Sequence, residues 1–307
     1  MVYSPENDQN TAIIFDIQRF SLHDGPGIRT TLFFKGCPLK CAWCQNPESM
    51  NSDPEVAFYA AQCKQTYACL RVCPRKAIVA GAQHRINYQK CDCCGECIPA
   101  CDHAALKIIG QKWSAQKLLA EILKDQDYFL DSQGGITLSG GEPTLQSAFL
   151  EHFLPLVKKA GIHITLETCG LFSWPRVEKI LPYLDLIYYD LKLMDSEKHR
   201  RYTGVDNKPI LKNFRKLATL PIQLQARIAI IPGINDDRDQ VMAVAEFLTQ
   251  NKQKSIHCLP YHDMGTAKLP RINARIQPLK IKSITSSELQ PLESIFEDLG
   301  IQAIIYD

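Results

Sequence analysis

The thirteen cysteines constrain this 307-residue chain more than any other feature of its sequence. Three of them, Cys37, Cys41 and Cys44, lie together, eight more fall between residues 63 and 101, and only Cys169 and Cys258 stand apart. Disulfide scaffolds are usually shorter and secreted, whereas the first ten residues, MVYSPENDQN, are polar and unlike a secretion signal. Clustered thiols in a reducing compartment are typical of metal or iron–sulfur ligands, so we expect a cytoplasmic protein that carries such groups.

The charge balance gives no reason to expect nucleic acid or an anionic membrane as the main partner. Lys and Arg number 35 and Asp and Glu number 33, which leaves a formal charge of +2 and favours neither nucleic acid nor an anionic membrane. No apolar run approaches the roughly 18 residues that a membrane span requires. We expect no nucleic acid and no membrane as partners.

Short apolar strands alternate with amphipathic helices outside residues 58–109, which is the pattern of βαβ units. About six such repeats suit an open or partial barrel better than a closed eightfold one, so we predict an α/β fold with a partial (β/α)6, TIM-like barrel. Strands are predicted at 29–35, 135–139, 162–168, 184–191, 222–230 and 255–259. Helices are predicted at 114–128, 146–160, 174–181, 208–220 and 238–250, and residues 286–307 are predicted to form one more helix and a short strand.

Residues 58–109 do not follow this alternation of strands and helices. The segment is dense in cysteine, lacks long apolar runs, and has seven Lys and Arg against three Asp and Glu. Such a segment builds little apolar core of its own, so bound clusters are expected to organise it. We therefore predict a barrel core formed by residues 1–57 and 110–307, with residues 58–109 as an insert.

The motif C-x3-C-x2-C at Cys37, Cys41 and Cys44 directly follows a predicted strand. A cubane cluster has four irons, so three local thiolates leave one iron open to a substrate, as in catalytic metal sites. The alternative is a structural zinc site completed by a distant His or Cys, although zinc pairs commonly use C-x2-C.

This spacing resembles the signature of the radical S-adenosylmethionine (SAM) superfamily. Residues 23–30, HDGPGIRT, and residues 43–48, WCQNPE, are similar to the hallmark of the activating enzymes of glycyl radical enzymes, and matching segments continue to Gly265. The resemblance implies a barrel of the radical SAM type and a [4Fe–4S] cluster with an open iron for SAM. Cys37, Cys41 and Cys44 would be its catalytic ligands.

Polar residues also follow successive predicted strands, at the strand ends where barrel enzymes build their sites. Residues 139–143, SGGEP, resemble the family motif that contacts the SAM amino group, and two glycines let a ligand approach the backbone closely. The resemblance implies that Asp190 and Lys192 hold the ribose and the methionine carboxylate, and that Arg227 faces that carboxylate. Taken singly, each of these residues also suits an ordinary structural role. The expected cofactor contacts are Trp43, Gln45, Gly140, Gly141, Glu142, Glu167, Asp190, Leu191, Lys192, Arg227 and His262.

The insert repeats the cysteine spacing of two-cluster ferredoxins, which predicts a ferredoxin-like double-cluster domain. The complete run is Cys91, Cys94, Cys97 and Cys101; the earlier run is Cys63, Cys69 and Cys73, with Thr66 in the second cysteine position. Because the fourth cysteine of each run ligates the other cluster, one cluster takes Cys91, Cys94, Cys97 and Cys73. The other takes Cys63, Cys69 and Cys101, and is a three-iron cluster, recruits an oxygen ligand or Cys93, or is degenerate. Two zinc sites are the alternative.

The resemblance implies an anaerobic oxidoreductase that activates a glycyl radical enzyme. Reductive cleavage of SAM gives a 5′-deoxyadenosyl radical, which removes a hydrogen from the Cα of a glycine in the partner. A ferredoxin or flavodoxin is the expected electron donor. The turn at residues 24–27 is either a lip of the opening for the partner's glycine or a tight turn before the first strand. The rival hypotheses are a radical SAM enzyme acting directly on a small molecule and an iron–sulfur electron-transfer protein.

Overall fold

The computed structural model describes residues 10–81 and 84–305, so most of the N-terminal sequence considered above and the last two residues of segment 286–307 lie outside it. The strands are β1 Thr11–Ser21, β2 Arg29–Phe34, β3 Glu55–Phe58, β4 Leu106–Ile109, β5 Gln111–Ser114, β6 Gly135–Gly140, β7 His163–Thr168, β8 Leu186–Asp190, β9 Gln223–Ile230, β10 Ser255–Pro260 and β11 Gln302–Ile305. The α-helices are α1 Ala68–Val72, α2 Ala115–Ile122, α3 Gln126–Ser132, α4 Ser147–Lys159, α5 Trp174–Val177, α6 Ser196–Thr203, α7 Lys208–Leu217, α8 Arg238–Gln250 and α9 Gln290–Glu297. Short 3-10 helices lie at Pro47–Ser49, Ala60–Gln62, Leu123–Asp125, Pro143–Gln146, Leu181–Tyr183, Asp263–Arg271 and Ser286–Leu289.

Nine strands of the described chain form one mostly parallel sheet in the order β11-β10-β9-β8-β7-β6-β2-β1-β5. Every neighbouring pair from β11 to β2 in this order is parallel. Strand β1 pairs antiparallel with both β2 and β5. Because parallel neighbours share one direction, the C-terminal ends of seven strands meet at one edge of the sheet. That edge holds the site described below.

Helices cover the sheet and bury its strands almost continuously, as parallel sheets require. In α8 the residues Val241, Val244, Ala245 and Leu248 are fully buried at the spacing of one helical face. They join the main core with strand residues such as Ile228. No helix among the described residues is both long enough and apolar enough to cross a membrane.

The sequence located every parallel strand to within a few residues and missed the antiparallel ones. The predicted helix at 114–128 is instead two helices, α2 and α3, separated by the 3-10 turn Leu123–Asp125. The break has a cause, because buried Asp125 turns inward to accept a hydrogen bond from Thr30 Oγ1 at 2.7 Å and to pair with Arg19. The helix predicted at 174–181 ends at Val177, and a 3-10 turn begins at Leu181, just before Pro182.

Strands β3 and β4 form a separate two-stranded antiparallel sheet at the base of the predicted insert. Glu55 pairs with Ile109 and Phe58 pairs with Leu106, so the chain leaves the rest of the fold and returns to it along two adjacent strands. These two strands and the residues between them share a small core, separate from that of the large sheet. Its buried side chains are Val56, Phe58, Ile78, Ile86, Cys97, Ala105 and Leu106.

Candidate active site and cysteine clusters

A cavity of about 210 Å³ opens at the C-terminal ends of the parallel strands. It is lined by the loop that follows β2 and by residues at the ends of β6, β7, β8, β9 and β10. Twelve of the predicted site residues line this one cavity: Cys37, Cys41, Trp43, Cys44, Gln45, Gly140, Gly141, Glu167, Asp190, Leu191, Lys192 and Arg227.

The loop that carries the three cysteines is held both by backbone hydrogen bonds and by a small apolar cluster, in which Leu39 and Trp43 are buried against Ile231 and Tyr261. Gly36 N donates to Ser49 O at 2.6 Å, Lys40 N to Thr203 O at 2.7 Å, and Ala42 N to Tyr202 O at 2.9 Å. The last two acceptors belong to the C-terminal end of α6, whose carbonyls would otherwise lack partners. The loop shape is thus fixed by its neighbours on both sides.

The three thiols differ in their surroundings. Burial raises the pKa of Cys41 to about 12 and raises the pKa of Cys44 further still. A hydrogen bond from the Cys169 thiol lowers the pKa of Cys37, against the effect of burial. Buried thiols become thiolates when a cation takes the proton's place, so this donor set suits soft iron better than any hard ion.

The Gly-Gly-Glu turn after β6 packs directly on the start of the cysteine loop. Gly141 N donates to Phe34 O at 2.9 Å and Glu142 N donates to Gly36 O at 2.8 Å. A Cβ atom at Gly141 would overlap the carbonyl oxygen of Gly36, so only glycine fits there. Gly140 has a φ of +97°, which also favours glycine.

Glu142 is fully buried and does not line the cavity. Its carboxylate accepts hydrogen bonds from Thr144 Oγ1 at 2.6 Å, from Thr168 Oγ1 at 2.8 Å and from Cys169 N at 2.8 Å. Burial raises the pKa of this carboxyl, although these hydrogen bonds oppose the rise. Glu142 therefore connects the end of β6 to the end of β7 through hydrogen bonds.

Four charged side chains form a continuous chain along the strand ends. Lys192 Nζ lies 3.2 Å from Asp190 Oδ2, Arg227 Nη2 lies 3.3 Å from Asp190 Oδ1, and Arg227 Nη1 lies 2.5 Å from Glu167 Oε1. Ser139 Oγ donates to Glu167 Oε2 at 2.5 Å. Burial would raise the pKa of Asp190, but Lys192 and Arg227 outweigh it and lower the pKa. The pKa values of both bases are raised by the acids, which outweigh burial, so both stay cationic.

His262 lies next to the main cavity rather than in its wall. It lines a smaller cavity of about 10 Å³ that shares Trp43, Cys44 and Tyr261 with the first. The sequence reasoning missed Tyr261 and Cys169, both of which line the main cavity. Their positions at the ends of β10 and β7 were the signal that could have found them.

The turn at residues 24–27 sits at the N-terminal ends of the strands. Arg29 is fully buried beneath it, and its guanidinium donates to Pro26 O at 3.0 Å and to Thr137 Oγ1 at 2.6 Å. Gly25 and Gly27 have φ values of +139° and +66°. None of residues 23–28, all of which are described, lines the cavity, and these contacts are those of a tight turn before β2.

Seven of the eight cysteines of the insert belong to the two predicted cluster sets, and Cys93 does not line the cavity of the first set. Cys73, Cys91, Cys94 and Cys97 line one small cavity of about 20 Å³ together with Val56 and Ile78. Cys63, Cys69 and Cys101 all pack against the small core of this segment, and burial, together with the charges of Cys101 and Cys63, raises the pKa of Cys69. Within the described residues, no three His, Cys, Asp or Glu side chains are arranged to hold a single metal ion.

The same backbone conformation occurs after Cys73 and after Cys101, which hold the fourth position of their runs. Ala77 N donates to Cys73 Sγ at 3.3 Å, and Ala105 N donates to Cys101 Sγ at the same distance. In both cases the residue before the donor is left-handed, with a φ of 48° at Lys76 and 50° at Ala104. Hydrogen bonds to cysteine sulfur are one means by which proteins tune iron–sulfur clusters.

Comparison with known proteins gives consistent findings. A family model described as the radical SAM superfamily matches residues 31–247. The indoleacetate decarboxylase activating enzyme of Tractidigestivibacter scatoligenes is 35% identical over an alignment 312 residues long, gaps included. The alignment covers 98% of this chain and 99% of that protein. The isethionate sulfite-lyase activating enzyme of Oleidesulfovibrio alaskensis is 40% identical over 271 residues, 86% of this chain and 87% of that protein. A radical SAM methyltransferase from Sphaerobacter thermophilus shares the fold, with a TM-score of 0.55 at 11% identity over 95% of this chain and 76% of that one.

Proposed function

Because this chain belongs to the radical SAM superfamily, and within it to the activating enzymes of glycyl radical enzymes, we propose a division of labour among its residues. The activity itself is reductive cleavage of SAM followed by radical activation of a partner enzyme. A bound [4Fe–4S] cluster would supply the electron for the cleavage of SAM, and the adenosyl fragment of SAM would then take the Cα hydrogen of a glycine in the partner. Cys37, Cys41 and Cys44 would hold that cluster.

One observation carries the proposal: the three loop cysteines and the charged chain at the strand ends line the same cavity. Lys192 and Arg227 supply two permanent positive charges for the SAM carboxylate, and Asp190 supplies an acceptor for a ribose hydroxyl. Gly140 and Gly141 bring the backbone close to the amino group. Trp43, Gln45 and Leu191 complete the contacts within the cavity, and His262 would approach the adenosyl group from the adjoining smaller cavity. Glu142 fixes the strand ends from below the site.

The walls of the cavity favour radical chemistry by excluding water. Leu39, Ala229, Ile231 and Leu259 line it along with Tyr261, and none of these side chains offers a proton-transfer group near neutral pH. The apolar part of the wall limits the water that reaches the reacting atoms. The chain's own residues therefore position the reactants and shield them, and no acid–base pair is assigned.

We also propose that residues 58–109 form a ferredoxin-like domain with one or two clusters, set into a partial (β/α)6 barrel made of residues 1–57 and 110–307. The shared cavity of Cys73, Cys91, Cys94 and Cys97 supports the first cluster, and the repeated sulfur hydrogen bonds support the pseudosymmetry of the two runs. The second cluster, at Cys63, Cys69 and Cys101, is short of one thiolate. These clusters would relay electrons from a ferredoxin or flavodoxin in the cytoplasm, and the excess positive charge of the insert suits an acidic donor.

Anaerobic electron paramagnetic resonance tests the function directly. Reconstituted protein is mixed with SAM, a reductant and the glycyl radical enzyme encoded beside it, and a persistent glycyl doublet is expected. Cys41→Ala should give neither the doublet nor 5′-deoxyadenosine, while Cys258→Ala, which changes a buried thiol on β10 outside the cavity, should give both. Formation of 5′-deoxyadenosine without a doublet would favour action on a small molecule or a different partner. Full turnover by Cys41→Ala would overturn the assignment of the cluster loop.

A further inference from the structure

Lys35 and Glu55 form a buried ion pair where the cysteine loop and the insert begin. Lys35 immediately precedes the loop, Glu55 is the first residue of β3, and Lys35 Nζ lies 2.9 Å from Glu55 Oε1. The two side chains are 0% and 6% exposed. Lysine and glutamate are seldom buried so completely, and such a pair is tolerated only when its remaining hydrogen-bonding capacity is satisfied.

That capacity is satisfied by three further chain segments. Glu55 accepts from Asn51 Nδ2 at 3.0 Å and 3.1 Å and from Asn273 N at 3.0 Å, and Lys35 Nζ donates to Glu48 O at 2.9 Å. The exit of the insert meets the same pair, because Gly110 packs so closely on the Lys35 stem that a Cβ would overlap it. Both ends of the insert are therefore joined to the residue that starts the cysteine loop.

Residues 263–273, which we call the strap, follow β10 and touch both sides of this joint. On the loop side, Lys268 Nζ donates to Gln45 O at 2.9 Å and pairs with Glu48 at 3.0 Å. Gly265 packs on the carbonyl of Cys44.

On the insert side, Arg271 lies over the ring of Tyr59 at 5.2 Å, and His84 Nε2 lies 2.8 Å from Ile272 O. The strap thus holds the insert and the cysteine loop against each other.

We propose that Glu55 is a positioning residue which, with Lys35 and the strap, fixes the insert at a set distance from Cys37, Cys41 and Cys44 so that electrons can pass between them. The inference rests on the proposed function, since it assumes that the insert relays electrons. Electron transfer between two centres falls steeply as their separation grows or fluctuates. A buried joint that binds both ends of the insert limits that fluctuation, which an exposed linker could not do.

The test compares Glu55→Ala and Lys35→Met with the wild type and with Glu151→Gln, which changes an exposed ion pair to Lys179 on the far helices. Two reductants drive SAM cleavage: titanium(III) citrate, a small molecule, and reduced flavodoxin, a protein far larger than the cavity. With flavodoxin, both joint variants should lose most of their 5′-deoxyadenosine formation, and with titanium(III) citrate they should keep it. Hydrogen exchange should be about a hundredfold faster for amides of residues 55–109 and unchanged in β7.

Each other outcome has a definite meaning. If a joint variant loses both routes equally, Glu55 serves only the stability of the fold and the proposal is overturned. It is also overturned if exchange in the insert does not change, or if flavodoxin drives no cleavage in the wild type. Failure of the wild type with titanium(III) citrate would instead contradict the proposed function, because that reductant does not need the insert.

Discussion

At the scale of single residues, the charged chain of Lys192, Asp190, Arg227 and Glu167 contains two bases and two acids. Each acid lies beside a base, so no buried charge is left unpaired before a ligand enters. The methionine end of SAM carries an ammonium and a carboxylate, and therefore offers one partner of each sign. The two charges of such a ligand can replace ion pairs among these four side chains at little electrostatic cost. A ligand with one net charge would instead leave one buried side chain without an opposite charge beside it.

His257 makes stability depend on pH. It lies on β10 against the ring of Tyr188, where burial, aided by the charge of Arg227, lowers its pKa from 6.5 to about 4. The unfolded chain takes up this proton near pH 6.5 and the folded chain does not, so stability is lost as the pH falls from 6.5 towards 4. We expect His257 to account for about 2 kcal/mol of the stability lost between pH 7 and pH 5.

Anaerobic denaturant unfolding of His257→Gln at the two pH values checks this expectation. The variant should lose less stability on acidification than the wild type does. His152→Gln, which changes an exposed histidine on α4, serves as the control and should follow the wild type. A His257 variant with the full wild-type pH dependence would contradict the assignment.

At the scale of single elements, α8 shows how well local pattern can predict structure. Its bounds, Arg238–Gln250, agree with the sequence prediction because one apolar face and a capping residue both mark it. Asp237 caps the helix by accepting from Gln240 N at 2.9 Å. We expect Asp237→Ala to lower the free energy of unfolding by about 1 kcal/mol, measured by urea denaturation. Asp239→Ala removes an exposed acid from the same first turn without removing the cap, and should cost clearly less.

The turn after β6 supplies a second element-scale prediction. Gly141→Ala would force the end of β6 away from the cysteine loop, because the new methyl group would overlap Gly36 O. A displacement of about 1 Å at a reacting site can cost about a hundredfold in rate, so SAM cleavage should fall by about that factor. Gly161→Ala is the control: it introduces a Cβ at a glycine that follows α4, where the φ of +74° makes alanine cost some stability, but the Cβ meets no atom within 4 Å and cleavage should stay near the wild-type rate. Unchanged cleavage by Gly141→Ala would mean that the loop and turn move independently.

Local pattern predicted less where distant contacts decide the structure. Strand β1 was missed although its burial alternates along the strand, and its antiparallel pairing with β2 depends on an irregular register that no local signal reveals. The break between α2 and α3 depends on Asp125 reaching Thr30, which is 95 positions away. The residues that line the cavity lie mostly at strand ends, where local pattern could locate them. The inward direction of the Glu142 side chain depends instead on its hydrogen bonds with Thr168 and Cys169 of the neighbouring strand.

At the scale of the whole molecule, residues 59–105 are joined to the rest of the chain through the adjacent antiparallel strands β3 and β4. Phe58 lies opposite Leu106, so a two-residue Asn-Gly turn can replace residues 59–105 and close β3 and β4 as a hairpin. We expect the shortened protein to fold, to lose the iron assigned to the insert, and to cleave SAM with titanium(III) citrate at a rate within a few-fold of the full chain. Iron analysis and 5′-deoxyadenosine formation measure this. A shortened protein that folds but cleaves no SAM would show that the insert takes part in the chemistry itself.

The hydrogen bonds from the cysteine loop to the end of α6 bear on how the finished enzyme is made. Lys40 N and Ala42 N find their acceptors in Thr203 O and Tyr202 O, so contacts with α6 contribute to the shape of the loop. In small zinc domains the metal itself organises the chain, whereas here a neighbouring helix shares that role. A change that unwinds the last turn of α6 would therefore displace the loop into which the cell must load iron and sulfide.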